Sequence, residues 1–135
     1  MCMIIESEAE MLRFGEEFAK SLVFPAVIQL IGDVGAGKTT FTRGLAKGLG
    51  VSEPVTSPSF VISKRYAGKK VDLIHYDFYR LDDPGIMAED LADSLSEENA
   101  VVVVEWGGDV EGLLPEKCKR IEIKLLEDGS REILL

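Results

Sequence analysis

The chain has 135 residues, enough for one domain that buries roughly two-thirds of its unfolded surface and too few for a second. Apolar residues make up 46%, and no Pro- or Ser-rich tract or internal repeat interrupts them, which excludes a disordered chain and a solenoid. Fifteen basic against 24 acidic residues give a net charge of -9, which argues against broad electrostatic binding of nucleic acid and points to action through a partner.

The opening MCMIIESEAE lacks the basic start and apolar run of a signal peptide, and no stretch is apolar over membrane-spanning length. The cytoplasm is the expected compartment, with no membrane partner. Met1 to Ile5 read as an edge strand, and Ser7 with Glu10 forms a capping box that opens a helix from Ser7 to Leu22. Leu12, Phe14, Phe18, Ala19 and Leu22 give that helix a broad apolar face. Pro25 begins the turn into a short apolar strand carrying Val27, Ile28, Leu30 and Ile31.

Gly32 to Thr39 then reads GDVGAGKT, a match to GxxxxGK[ST] placed between a strand and a helix whose apolar residues are Phe41, Leu45, Ala46 and Leu49. Glycines there let successive backbone N–H groups turn onto an anion. Lys38 reaches the β- and γ-phosphates, and the Thr39 hydroxyl is offered to magnesium. Gly48 or Gly50 ends the helix.

Thr56, Ser57, Pro58, Ser59 and Phe60 follow Val55 as a polar loop in which Pro58 disfavours helix at Ser57. It is either a plain connection or a switch that senses the γ-phosphate. Phe60 to Tyr66 and Val71 to Tyr76 flank Ala67-Gly68-Lys69-Lys70 as an antiparallel hairpin. His75, within the second of these runs, has a structural or a catalytic role. Asp77 stands in HYDFYRL beside Tyr79 and Arg80, and is either solvated, paired with Arg80, or functional.

After the Asp82 to Gly85 turn, Ile86 to Leu95 has helical spacing. Ala100 to Val104 is an unbroken apolar run, as in a strand covered on both faces, and Glu105 at its end falls on the rim where open α/β sheets hold ligands. That resembles a Walker B strand with Glu in place of the commoner Asp; a helix cap or surface carboxylate is the alternative. Trp106 is a core anchor or a nucleotide or protein contact. Leu113-Leu114-Pro115 closes a short helical segment, and Lys119 to Leu126 with Arg131 to Leu135 form a terminal hairpin. Cys2 and Cys118 lack metal-ligand spacing and are expected to remain thiols.

GDVGAGKTTFTRGLAKGLG, TSPSF, HYDFYRL, VVVVEW and LLP, in this order over almost the whole chain, resemble the TsaE (YjeE) family. That resemblance implies a P-loop NTPase-like α/β fold of three layers, a central mixed sheet with flanking helices, in one domain over residues 1–135. It implies a small, magnesium-dependent ATPase that works with TsaB and TsaD to make threonylcarbamoyladenosine in bacterial tRNA, touching tRNA only through that complex. Asp33, Gly35, Ala36, Gly37, Lys38, Thr39 and Thr40 would bind ATP, with Thr39 and Glu105 near Mg2+. Thr56 through Phe60 match the switch-like loop, Asp77 the acid that positions or activates water, and Trp106 the family tryptophan, with Tyr79 and Arg80 as further contacts. Met11 and Gly107 depart from the family pattern, away from the phosphate motif.

The expected chemistry is in-line attack of water on the γ-phosphate, with Lys38, Asp77 and Glu105 as the catalytic set. Arg43 and Arg80 are candidate arginine fingers, and without one the isolated protein should be a slow ATPase. A small-molecule kinase would need an acceptor pocket and an Arg-bearing lid, neither of which the sequence offers. A nucleotide-dependent binding module, in which hydrolysis only resets a docked state, is the other alternative.

Overall fold

The computed structural model describes residues 2–33, 35–56, 63–78, 85–105, 112 and 114–135. Its elements run β1 (Cys2–Ile5), α1 (Glu8–Lys20), β2 (Ala26–Ile31), α2 (Lys38–Gly48), β3 (Ser63–Tyr66), β4 (Asp72–Asp77), α3 (Gly85–Leu95), β5 (Ala100–Glu105), β6 (Lys119–Leu125) and β7 (Arg131–Leu134). The strands form one mixed sheet in the order β1-β7-β6-β2-β5-β4-β3. β2 pairs in parallel with β5 and β6, and β4 pairs in parallel with β5. The pairs at the two ends, β1 with β7, β7 with β6 and β3 with β4, are antiparallel. The architecture is therefore the expected α/β sandwich of helices about a mixed sheet.

Period-two alternation assigns each central side chain to a face. Val101 and Val103 of β5, with Ile28 and Leu30 of β2, pack against Phe41, Leu45 and Met11 of α2 and α1. Ala100, Val102 and Val104 point the other way, to Leu91 of α3, Val27 and Tyr76. β5 is buried at every position, which is why it shows no alternation in sequence.

α1 meets α2 through glycines. A Cβ on Gly44 would lie 2.2 Å from the Leu12 carbonyl oxygen, and one on Gly15 would lie 2.5 Å from that of Phe41. Phe14, Phe18 and Phe41 close the contact, Phe14 tilted against both of the others and Phe18 edge-on to Phe41. The expected apolar face packs inward, with Ala19 and Leu22 buried and Phe14 and Phe18 partly buried against the core. Met11 and Gly15 join Ala19 as the buried positions of α1, at i, i+4 and i+8, and Gly15 was not foreseen because glycine carries no hydrophobic signal.

α1 is also shorter at both ends than expected, and its cap is a variant of the box. The Glu10 amide donates to Ser7 Oγ at 3.1 Å, whereas the Glu10 carboxylate accepts from the Glu6 amide at 2.9 Å instead of from Ser7. Gly50, at φ +80°, ends α2 past its Leu49 cap, and Gly48 stays inside the helix. Among the described residues, no helix is long and apolar enough to cross a membrane.

Candidate functional site

Parallel pairing brings the C-terminal ends of β2, β4, β5 and β6 to one rim of the sheet. The phosphate-type loop leaves β2 there. Gly35 at φ +83° and Gly37 at φ +113° occupy the left-handed region that side chains resist, so the loop needs these two glycines. Gly32 is required for another reason, because a Cβ there would lie 2.6 Å from the Ile123 carbonyl oxygen of β6. The Ala36 amide closes the turn onto the Asp33 carbonyl at 3.0 Å.

Lys38 opens α2 behind Gly37, which as N-cap offers no side chain to the first amides. Those donors and the helix dipole favour an anion. Lys38 is only 7% exposed, and its ammonium donates to the Gly32 carbonyl. Burial pushes its pKa below the usual lysine value, while Glu105, then Asp77 and Asp33, oppose that shift. Three acids thus act on the buried cation. Thr39 and Thr40 are half-buried on the first turn of α2, Ala36 is buried, and Asp33 and Gly35 are exposed.

Asp77 and Glu105 face one another in register at the ends of β4 and β5, and Leu30 pairs with Glu105 from the other side. Alternation puts Leu73, His75 and Asp77 on the same face as Val101, Val103 and Glu105, the face that α2 covers. Both acids therefore stand on the helix side of the rim. The Phe78 amide donates to the Glu105 carbonyl at 3.1 Å and ties the two strand ends together.

Glu105 is 2% exposed, and its Oε2 lies 2.5 Å from Nε2 of the fully buried His75. His75 is thus a partner of Glu105, a pairing that thirty residues of separation conceal in sequence. With the carboxylate accepting from Nε2–H, Nδ1 is left buried and without a hydrogen-bond partner among the described residues. Asp77 is half-buried, so two adjacent acids have different surroundings.

Thr56 is exposed at the start of the predicted switch. Its amide donates to Tyr66 Oη at 3.3 Å, and the hydroxyl donates back to its carbonyl at 3.4 Å. Arg43 Nε donates to the Val55 carbonyl at 2.9 Å, so this arginine pins the base of the loop. Ser57, Pro58, Ser59, Phe60, Tyr79, Arg80 and Trp106 lie outside the described residues.

Two features had no counterpart in the sequence reading. Arg131 of β7 donates to the carbonyls of Ala36 and Gly35 at 3.1 and 3.2 Å. A cavity of about 310 Å³ opens beside the loop, lined by Gly37, Thr40 and Arg131 and by Ile5, Ser7 and Met11. A motif spanning only residues 32–39 signals neither.

Among the described residues, no group of three or more His, Cys, Asp or Glu could cage a metal. A magnesium ion that also takes phosphate oxygens and waters needs no such cage. Thr39 on the first turn of α2 and Glu105 at the end of β5 carry a hydroxyl and a carboxylate, donors of the type it takes.

A protein-family model described as threonylcarbamoyl adenosine biosynthesis protein TsaE matches residues 5–133. The protein of Treponema pallidum described as tRNA threonylcarbamoyladenosine biosynthesis protein TsaE is 38% identical over 98% of both chains. One of the same description from Bacillus subtilis is 44% identical over 79% of this chain and 66% of its own length. The crystal structure of Bacillus subtilis YdiB superposes with a TM-score of 0.80 at 34% identity, covering 98% of this chain and 82% of that one.

Proposed function

This chain belongs to the TsaE family, and from that premise we propose that it is a Mg-dependent ATPase of tRNA threonylcarbamoyladenosine biosynthesis, one P-loop domain acting in the cytoplasm with TsaB-like and TsaD-like proteins. The observation that carries the reading is the shared rim. The uncapped start of α2, the buried Lys38 and the paired ends of β4 and β5, bearing Asp77 and Glu105, all meet on one face.

In this reading the amides of the loop and of the first turn of α2 receive the phosphates, and Lys38 trades its bond to Gly32 for phosphate oxygens. The added negative charge offsets the cost of burying the ammonium. Thr39 and Glu105 would hold magnesium, which when bound neutralises charge on the β- and γ-oxygens. Asp77 orients the attacking water and takes up its proton. His75 fixes the Glu105 carboxylate from behind. The cavity beside Gly37 and Thr40 receives the nucleoside.

Transition-state charge is then carried mainly by Lys38 and the amides; Arg43 has its Nε on the Val55 carbonyl, and Arg80 lies outside the described residues. Turnover by the isolated protein is accordingly slow. tRNA is reached through the partners, in keeping with a net charge of -9.

Phosphate release from ATP, measured with and without the two partners, tests the reading. Lys38→Ala should lower it by about a hundredfold, and Asp77→Ala and Glu105→Ala by about tenfold or more. Unchanged turnover in Lys38→Ala would sink the ATPase assignment. Transfer of phosphate to a small acceptor would point to a kinase. Modification that proceeds with nucleotide bound but without turnover would point to a nucleotide-dependent binding module.

A further inference from the structure

The phosphate loop has an outer wall that its own motif does not supply. β6 runs parallel to β2, so its end, the turn after it and the start of β7 arrive beside the loop. Asp128 Oδ1 accepts from the Ser130 amide at 2.9 Å and from its hydroxyl at 2.5 Å, and Gly129 sits at φ +89°. That turn sets up Arg131. Its Nη1 donates to the Gly129 carbonyl at 2.6 Å, its Nε to that of Ala36 and its Nη2 to that of Gly35. All three guanidinium nitrogens end on main-chain oxygens, so the hydrogen bonds of the group go to the loop and its turn, while the side chain also lines the cavity beside Gly37.

Across a planar trans peptide, C=O and the following N–H point in opposite directions. Drawing the carbonyls of Gly35 and Ala36 toward β7 therefore turns the amides of Ala36 and Gly37 inward. The Ala36 amide is taken by the Asp33 carbonyl, so of the two it is the Gly37 amide that such a clamp would present to an anion. A loop with two left-handed glycines has many unbound conformations to lose. A clamp that removes them before binding strengthens binding by preorganisation.

We infer that Arg131 is a positioning residue for nucleotide phosphates, holding the phosphate loop in its binding shape from the C-terminal hairpin. The inference rests on the proposed reading of the loop as an ATP site. Lysine is a poor substitute, because one ammonium cannot reproduce the flat fork that spans two successive carbonyls.

Equilibrium binding of a fluorescent N-methylanthraniloyl ADP with magnesium, measured on the full chain, tests it. Arg131→Ala should raise Kd about tenfold and Arg131→Lys about threefold, with Lys38→Ala as the reference for a broken site. Ethylguanidinium should recover at least twofold of the loss in Arg131→Ala, where tetramethylammonium at equal concentration recovers none. The melting temperature without nucleotide should stay within a few degrees of the wild type, a readout that separates loop positioning from general stability. Should Arg131→Ala fail to fold, Arg131→Lys carries the test alone through weakened binding at an unchanged melting temperature.

Wild-type affinity in Arg131→Ala, or full recovery in Arg131→Lys, would overturn the inference while leaving the ATP site intact. No binding by the wild type would overturn the reading of the loop and this inference with it.

Discussion

The two faces of the sheet are covered in different ways. On one, α1 and α2 touch backbone to backbone through Gly15 and Gly44, with the three phenylalanines closing the seam. On the other, α3 adds Leu91 to a smaller apolar cluster and is held by polar hooks. Tyr76 Oη reaches the Asp90 carboxylate at 2.5 Å and the Ser94 hydroxyl at 2.7 Å. The first contact tolerates no displacement, since the atoms in question already touch. The second is a set of hydrogen bonds that can be exchanged for water. The loop between β2 and α2 lies beside the first of these contacts, and Met11 of α1 reaches within 3.2 Å of where a Cβ on Gly37 would stand.

The largest effect should come from breaking the first face. Gly44→Val places a side chain on the Leu12 carbonyl and should cost about 3 kcal/mol or more in urea unfolding. Gly112→Ala, where a Cβ meets nothing within 4 Å among the described residues, should cost little. Equal midpoints for the two variants would refute the account of the helix seam.

Next comes the pair beneath the rim. His75→Ala leaves the Glu105 carboxylate buried without its donor and should cost about 2 kcal/mol. Nucleotide binding should then lose its magnesium dependence more than its phosphate dependence. Magnesium dependence equal to that of the wild type would dismiss His75 as a support for Glu105.

On the second face, Tyr76→Phe should cost about 1 kcal/mol by removing the hooks on α3 while leaving the ring stacked on Phe78. It should also change the alkaline limb of stability. Burial, reinforced by Asp90, raises the Tyr76 pKa above that of an unfolded tyrosine, near 10. The contribution is thus complete below pH ~10 and is lost as pH climbs toward the folded value. Wild-type stability should fall more steeply above pH ~10 than that of Tyr76→Phe, and parallel curves would show that the hydroxyl is not held as described.

The smallest effect should come from the half-exposed Arg65, which bridges Asp72 and Glu97 at the far edge. Arg65→Ala should cost about 0.5 kcal/mol or less, and that cost should shrink further in high salt. A loss as large as that from Tyr76→Phe would blur the contrast between anchored and adjustable surfaces.

Features encoded within a few neighbouring residues were legible in the sequence. GDVGAGKT announces its own turn and helix, and the valine run of β5 declares burial on both faces because alternation is missing. The terminal hairpin was legible for the same local reason. The contacts of His75 with Glu105 and of Arg131 with Gly35 and Ala36 depend on strand order and register, which no local pattern carries. The helix seam escaped because its signal is glycine at a close approach, and glycine ordinarily reads as a break. The bond from Arg43 Nε to the Val55 carbonyl was likewise hidden, because Val55 lies past the end of the helix that carries Arg43.

Strand order also has a consequence for the chain as it is made. The ribosome releases GDVGAGKT early, yet β1 takes its place in the sheet only beside β7, and the loop carbonyls find their arginine only at residue 131. At about 5–20 residues per second, several seconds separate the first appearance of the motif from the arrival of its clamp. A nascent or truncated polypeptide therefore carries the signature of a nucleotide site before it has the finished cradle, and β7, made well after the motif, completes it.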